Sequence, residues 1–187
     1  HPNAAQDALL AALQGPHESG GCDYRINSAP AERSDFAYRI DAAKRDPKGK
    51  ARNVTTLDDN TTQEALRFLM QADQALNFKD ETIHESVEYA LNVLLKAQYP
   101  NGAWPQRFSE TPDHTKFPVL PASYPEEWPR TCPKESFTTF YTFNDDTMAD
   151  MIDIIFMAAE IYGNPNYAAA GRRGGDFMIL AQMPDPQ

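Results

Sequence analysis

The chain has 187 residues with 41% hydrophobic and 24% charged side chains, a globular composition large enough to bury one core. Its 27 acidic residues against 17 Lys and Arg leave a net charge of −10, which excludes the basic face that a nucleic acid or an anionic membrane surface needs. No apolar run approaches the roughly 20 residues that span a bilayer, and His1-Pro2-Asn3 lacks the features of a signal peptide. Residues 1–187 are therefore expected to form a single domain. Only Cys22 and Cys132 are present, so a cysteine zinc site is excluded, and the two thiols are either free or one disulfide. The four histidines are scattered, with no pair at metal-ligand spacing.

Periodicity predicts five helices in chain order. The first covers residues 4–13. A charged connection over 15–57 leads to Asp59-Asn60-Thr61-Thr62, a polar start signal followed by an apolar stripe of Ala65, Phe68, Leu69, Ala72, Ala75 and Leu76. The third helix, 82–98, carries Val87, Ala90, Leu91, Leu94 and Leu95 on one face. A second long connection over 99–143 holds Trp104, Phe108, Phe117, Tyr124, Trp128, Phe137, Phe140 and Tyr141, too aromatic for a mere linker. The fourth helix, 146–161, is apolar nearly all round, which predicts that other helices surround it. The fifth, 167–182, starts after Gly163-Asn164-Pro165 and stops before Pro184. Strands find little support.

The pattern repeats. Gln14, Gln98 and Gln182 close similar apolar segments at intervals of 84 residues, and Asp58-Asp59-Asn60 recurs as Asn144-Asp145-Asp146, with Asp59 and Asp145 86 residues apart. Helical hairpins at this interval, with long loops on one side, predict an all-α toroid of alternating inner and outer helices. Five helices do not close such a ring. The expectation is an incomplete toroid, the N-terminal part of a longer protein, which a C-terminal fragment or second chain would complete.

Two acidic clusters at equivalent points of a repeat would face the same central end, and converging carboxylates and carboxamides suit Ca²⁺. The plainer alternative is a pair of N-caps with acidic first turns, which need no ligand. The turn Gln98-Tyr99-Pro100-Asn101-Gly102-Ala103-Trp104-Pro105-Gln106-Arg107 joins an indole, an amide and a guanidinium. That is a platform for a sugar ring, with Arg107 forking onto a carboxylate; alternatively, Trp104 packs beneath its loop. The first-repeat counterpart is Gly20-Gly21-Cys22-Asp23-Tyr24-Arg25, with Cys22 at the place of Trp104.

Three motifs in this order resemble those of the family 10 pectate lyases: Thr56-Leu57-Asp58-Asp59-Asn60-Thr61-Thr62 before Arg67-Phe68-Leu69, Gly102-Ala103-Trp104-Pro105-Gln106, and Phe143-Asn144-Asp145-Asp146. The resemblance covers the chain from about Asn53 onward. It implies an (α/α)₃ toroid that cleaves polygalacturonate by Ca²⁺-assisted β-elimination, with an arginine as base and the metal stabilising the developing negative charge. It further implies Asp58 as the calcium-linked catalytic aspartate, with Asp59 the alternative in this register because the doubled Asp departs from the more usual single one, and Asp145 as a second acidic catalytic residue; Asp58, Asp59 and Asp145 are the candidate metal ligands. Trp104, Gln106, Arg107 and Asn144 are then the substrate-binding group. The family's base belongs to its C-terminal half, so Arg67, Arg107 and Arg130 are not assigned to that role. A polysaccharide substrate implies an extracellular or periplasmic place of action.

Two other classes share these signs. Gln98-x₃-Gly102-x-Trp104 also fits the turn of terpene cyclases, although Pro105-Gln106-Arg107 and the aligned Asn/Asp clusters suit a polar sugar better. A non-catalytic uronate-binding fragment that keeps Ca²⁺ affinity and lacks a base is the third reading.

Overall fold

The computed structural model describes residues 2–27, 29, 31–46, 49–116, 118–120, 122, 138, 141 and 143–183. Phe117, Tyr124, Trp128, Arg130, Cys132, Phe137, Phe140 and the Pro184-Asp185-Pro186-Gln187 ending lie outside them, and with Cys132 the question of its pairing. Cys22 is buried, and burial pushes its thiol up to about 12.

The described fold is all-α in its framework. Helices α1 (Pro2–Gln14), α2 (Thr61–Ala75), α3 (Glu81–Ala97), α4 (Thr147–Tyr162) and α5 (Pro165–Leu180) supply it. Their starts and stops follow local chemistry. The Asp80 carboxylate accepts from the Thr82 and Ile83 N–H groups at the head of α3, and Asn164 accepts from Asn166 N–H at the head of α5, where Pro165 presets the first turn. Gly163, at φ 64°, ends α4 in the left-handed conformation that glycine adopts without cost.

The helices bury one continuous core. Leu66, Leu69 and Met70 of α2, Val87, Leu91 and Leu94 of α3, Met148, Met151, Ile154 and Ile155 of α4, and Phe177 of α5 meet there with Trp104. The predicted stripe on α2 is rotated in the structure. Its buried face is Thr62, Gln63, Leu66, Leu69, Met70 and Asp73, while Phe68 and Leu76 are 38% and 44% exposed. Polar residues occupy that face because each has a partner inside: Gln63 Nε2 donates to the Leu57 carbonyl at 2.7 Å, and Asp73 receives bonds from α3 and α4. Helix α4 is likewise less enclosed than its composition predicts, since Phe156 remains 37% exposed.

A short ladder forms where the sequence pattern offers little support for strands. Residues Thr55–Thr56 (β1) pair antiparallel with Arg107–Phe108 (β2), Thr56 opposite Arg107, and Leu57 N–H continues the ladder onto the Gln106 carbonyl at 2.9 Å. This pairing delivers the start of α2 and the Trp-Pro-Gln-Arg turn to the same place. On the other side of that turn, Gln98 donates to the Gly102 and Ala170 carbonyls at 2.8 and 2.9 Å and accepts from the Arg173 guanidinium. The turn thus locks the end of α3 to α5.

Helices α2 and α4 run in the same direction. Their N-terminal ends meet where Asn144 donates to Asp58 at 2.7 Å, and their C-terminal ends meet where Tyr162 donates to Asp73 at 2.9 Å. Helix α3 returns antiparallel beside α2, and α5 beside α4. Two forward helices, each with a returning partner, make the hairpin arrangement of an α/α toroid.

Candidate functional site

The N-terminal ends of α2 and α4 carry the acidic clusters, and the backbone there is unusual. Asp59 and Asn60 are left-handed in succession, at φ 49° and 57°, and Asp145 is left-handed at φ 45°. Asp and Asn tolerate this region better than other non-glycine residues. Neither Asn60 nor Asp146, the residues at the N-cap positions, makes a side-chain cap bond. The turns instead bring their carboxylates toward one another.

Asp58, Asp59 and Asp145 each offer an oxygen within 4.8 Å of the others. Asp58 is buried, whereas Asp59 and Asp145 are exposed at the rim. Four side chains fix Asp58. Asn144 Nδ2 donates to Oδ1 at 2.7 Å; the Tyr24 hydroxyl donates to Oδ2 at 2.7 Å; Arg107 Nη2 reaches the same oxygen at 3.1 Å; and the Gln106 carboxamide also bonds to the carboxylate. Burial works to raise the Asp58 carboxyl, but the bonds from Tyr24, Gln106 and Arg107 outweigh it and hold the group below the usual carboxylate range. Asp58 is accordingly ionised throughout the neutral range. Asn144 also donates to Asp145 Oδ2 at 3.2 Å, which ties the two clusters together.

Arg107 lies over the Tyr24 ring, 5.0 Å from its centroid, and donates to the Tyr24 hydroxyl at 3.0 Å. Burial, followed by the bond to Asp58, pushes the Tyr24 phenol up to about 12.

Six of the seven residues singled out in the sequence therefore come together: Asp58, Asp59, Asn144, Asp145, Gln106 and Arg107. Trp104 does not join them. Its indole is fully buried, with Nε1 donating to the Leu94 carbonyl at 2.9 Å, so it anchors its loop in the core and offers no face to a sugar. Tyr24 was not among the residues singled out. The available signal was its place in the Gly20-Gly21-Cys22-Asp23-Tyr24-Arg25 loop, the first-repeat counterpart of the loop that supplies Arg107.

The donor set fits a hard divalent cation. Three carboxylates converge, one of them, Asp58, paired with the Arg107 guanidinium; every available donor is oxygen, and Asn60 Oδ1 in the same turn is buried without a partner. No sulfur or imidazole belongs to the cluster, which separates it from a zinc site.

An all-α hairpin framework with an acidic, arginine-flanked site at one end defines the class, and the pectic acid lyase family matches residues 30–172. The chain belongs to that family. Two solved structures share its fold. One is a point mutant of a family 10 polysaccharide lyase from Cellvibrio cellulosa in complex with trigalacturonic acid, 18% identical with a TM-score of 0.57 over 92% of this chain and 45% of that one. The other is the family 10 polysaccharide lyase from the same organism, 18% identical with a TM-score of 0.54 over 93% of this chain and 48% of that one. The chain thus spans less than half the length of either structure. No curated protein is significantly similar to it in sequence.

Proposed function

We propose that the chain carries a calcium and uronate site of a pectate lyase that cleaves polygalacturonate by β-elimination to unsaturated oligogalacturonides. One observation carries the reading: two acidic clusters far apart in sequence converge on a single point beside a guanidinium, with Asp58 joined to Asn144 across the gap. Membership of the pectic acid lyase family and the trigalacturonic acid bound by a structural relative support the substrate class.

In this reading Asp58, Asp59 and Asp145 hold Ca²⁺. The ion supplies charge neutralisation for a uronate carboxylate and for the negative charge that develops as the C5 proton leaves. Tyr24 and Gln106 keep the Asp58 carboxylate ionised, and Asn144, bonded to its other oxygen, fixes it in direction. Arg107 pairs with a carboxylate of the substrate. The elimination removes the C5 proton, forms the C4–C5 double bond and breaks the bond from C4 to the glycosidic oxygen, which takes up a proton as it departs. Arg107 is not the base. In this reading its guanidinium is engaged as a carboxylate partner, bonded to Asp58 and to the Tyr24 hydroxyl, and the base is left to another residue. Arg67 pairs with Glu64 at 3.0 Å. A polysaccharide substrate points to extracellular or periplasmic action; among the described residues, no helix is long and apolar enough to cross a membrane.

The test is the ultraviolet absorbance of unsaturated uronide from polygalacturonate, followed with Ca²⁺ or with a chelator. Absorbance that grows only with Ca²⁺ and disappears in Asp58→Asn and Asp145→Asn bears out the lyase. Calcium-dependent binding of the polysaccharide without absorbance selects the binding-fragment reading, which the unassigned base favours. Product formed equally in chelator overturns both.

A further inference from the structure

Arg107 occupies a position that conflicts with a simple metal site. Its Nη2 lies 3.1 Å from Asp58 Oδ2, the buried member of the three carboxylates that converge there. The guanidinium is steered there by the Tyr24 hydroxyl, which accepts from Nη2 and donates to the same Asp58 oxygen, and by the face of the Tyr24 ring. Yet the fit is incomplete on the arginine's side. Arg107 Nε is buried with no partner, and the side chain as a whole is 32% exposed at the rim. A guanidinium bonded to a carboxylate through one nitrogen, with a second donor unused, has a better arrangement available: a two-point fork onto another carboxylate.

We infer that Arg107 is an internal placeholder for the cation, competing with Ca²⁺ for Asp58 until a uronate carboxylate draws the guanidinium away. This rests on the calcium and uronate reading above. A divalent ion bound to Asp58 repels a guanidinium at this distance, so the free chain binds metal against the Arg107 charge. A uronate that forks onto Arg107 removes the competitor, and by linkage metal and uronate strengthen each other beyond any bridge between them. The site therefore holds little Ca²⁺ without substrate and loads it as substrate arrives.

The test is a calorimetric titration of Ca²⁺ alone into the 187-residue chain, Arg107→Gln, Arg107→Lys and Tyr24→Phe, each checked for folding by circular dichroism. Removing the charge in Arg107→Gln tightens Ca²⁺ binding about fivefold, the scale of a partly exposed charge-assisted pair. Arg107→Lys keeps the charge and stays near wild type. Tyr24→Phe, which releases both the tether and one donor on Asp58, tightens binding by a smaller factor and supplies the answer should Arg107→Gln not fold. Addition of trigalacturonate then increases Ca²⁺ affinity more in the wild type than in Arg107→Gln. Equal or weaker Ca²⁺ binding in both Arg107→Gln and Tyr24→Phe overturns the placeholder role while leaving the metal site standing. Absence of Ca²⁺ uptake by every variant, wild type included, overturns the metal site and the placeholder together.

Discussion

Two residues in the Trp-Pro-Gln-Arg turn show how a motif divides between structure and chemistry. Gly102 sits at φ 97°, where a methyl group would lie 1.9 Å from the Arg173 carbonyl oxygen. Gly102→Ala is expected to destabilise the chain by about 2 kcal/mol or more in denaturant titration, because both the conformation and the space are forbidden. Trp104→Ala should cost about 3–5 kcal/mol through its cavity and the lost bond to Leu94. Trp104→Phe, which keeps most of the volume, should leave trigalacturonate affinity unchanged while lowering the melting temperature; a large loss of affinity in a folded Trp104→Phe would place the indole in the site after all. The acidic residues were legible because they recur at one phase of a repeat, and Arg107 because it follows the turn. The burial of Trp104 was not, since a loop tryptophan reads alike whether it faces solvent or core. Nor was Tyr24, whose part depends on a contact 34 residues away with Asp58.

At the scale of elements, helix boundaries could be read from caps and prolines, but the face of α2 could not. Asp73 on that face is fully buried, accepts from Tyr162 Oη at 2.9 Å and meets His84 Nδ1 at 2.8 Å, so one carboxylate joins α2, α3 and α4 at the end opposite the site. Apolar counting assigns such a residue to solvent; its two partners are what permit its burial. Asp73→Ala is expected to cost about 3 kcal/mol, since it strands both partners. The pairing also makes stability depend on pH. The bond to Asp73, helped by the charges of Asp73 and Glu88, raises His84 above its ordinary value against a smaller opposing effect of burial. The folded state then holds the imidazolium more tightly than the unfolded chain does. Its contribution is fully present below about pH 6.5, the unfolded value, and is lost as pH rises through the raised folded one. The melting temperature of His84→Ala should therefore fall furthest below wild type in mildly acidic buffer, and the gap should narrow in alkaline buffer. A gap independent of pH would mean that His84 contributes by packing alone.

Across the whole molecule, the 86-residue recurrence of Asp59 and Asp145 corresponds to a physical equivalence. Both residues are left-handed, each stands before a forward helix, and both helices begin at the same end. That correspondence made the all-α hairpin fold legible from one chain. The β1–β2 ladder was invisible at two residues a side, although it is what brings Arg107 to Asp58. The repeated glutamines are less equivalent than their spacing suggests: Gln98 is buried and bonded to Gly102 and Ala170, whereas Gln182 is exposed. The site sits at the N-terminal ends of α2 and α4 because the fold assembles it there from four segments, around Tyr24, Asp58, Arg107 and Asn144, none of which holds it alone. Its function is tested most directly by calorimetric titration of trigalacturonate into the chain, in Ca²⁺ and in chelator, with Asp58→Asn and Asp145→Asn alongside. Binding that requires Ca²⁺ and is lost in both folded variants is the predicted result; equal binding in chelator, or affinity retained in both variants, would contradict the assignment.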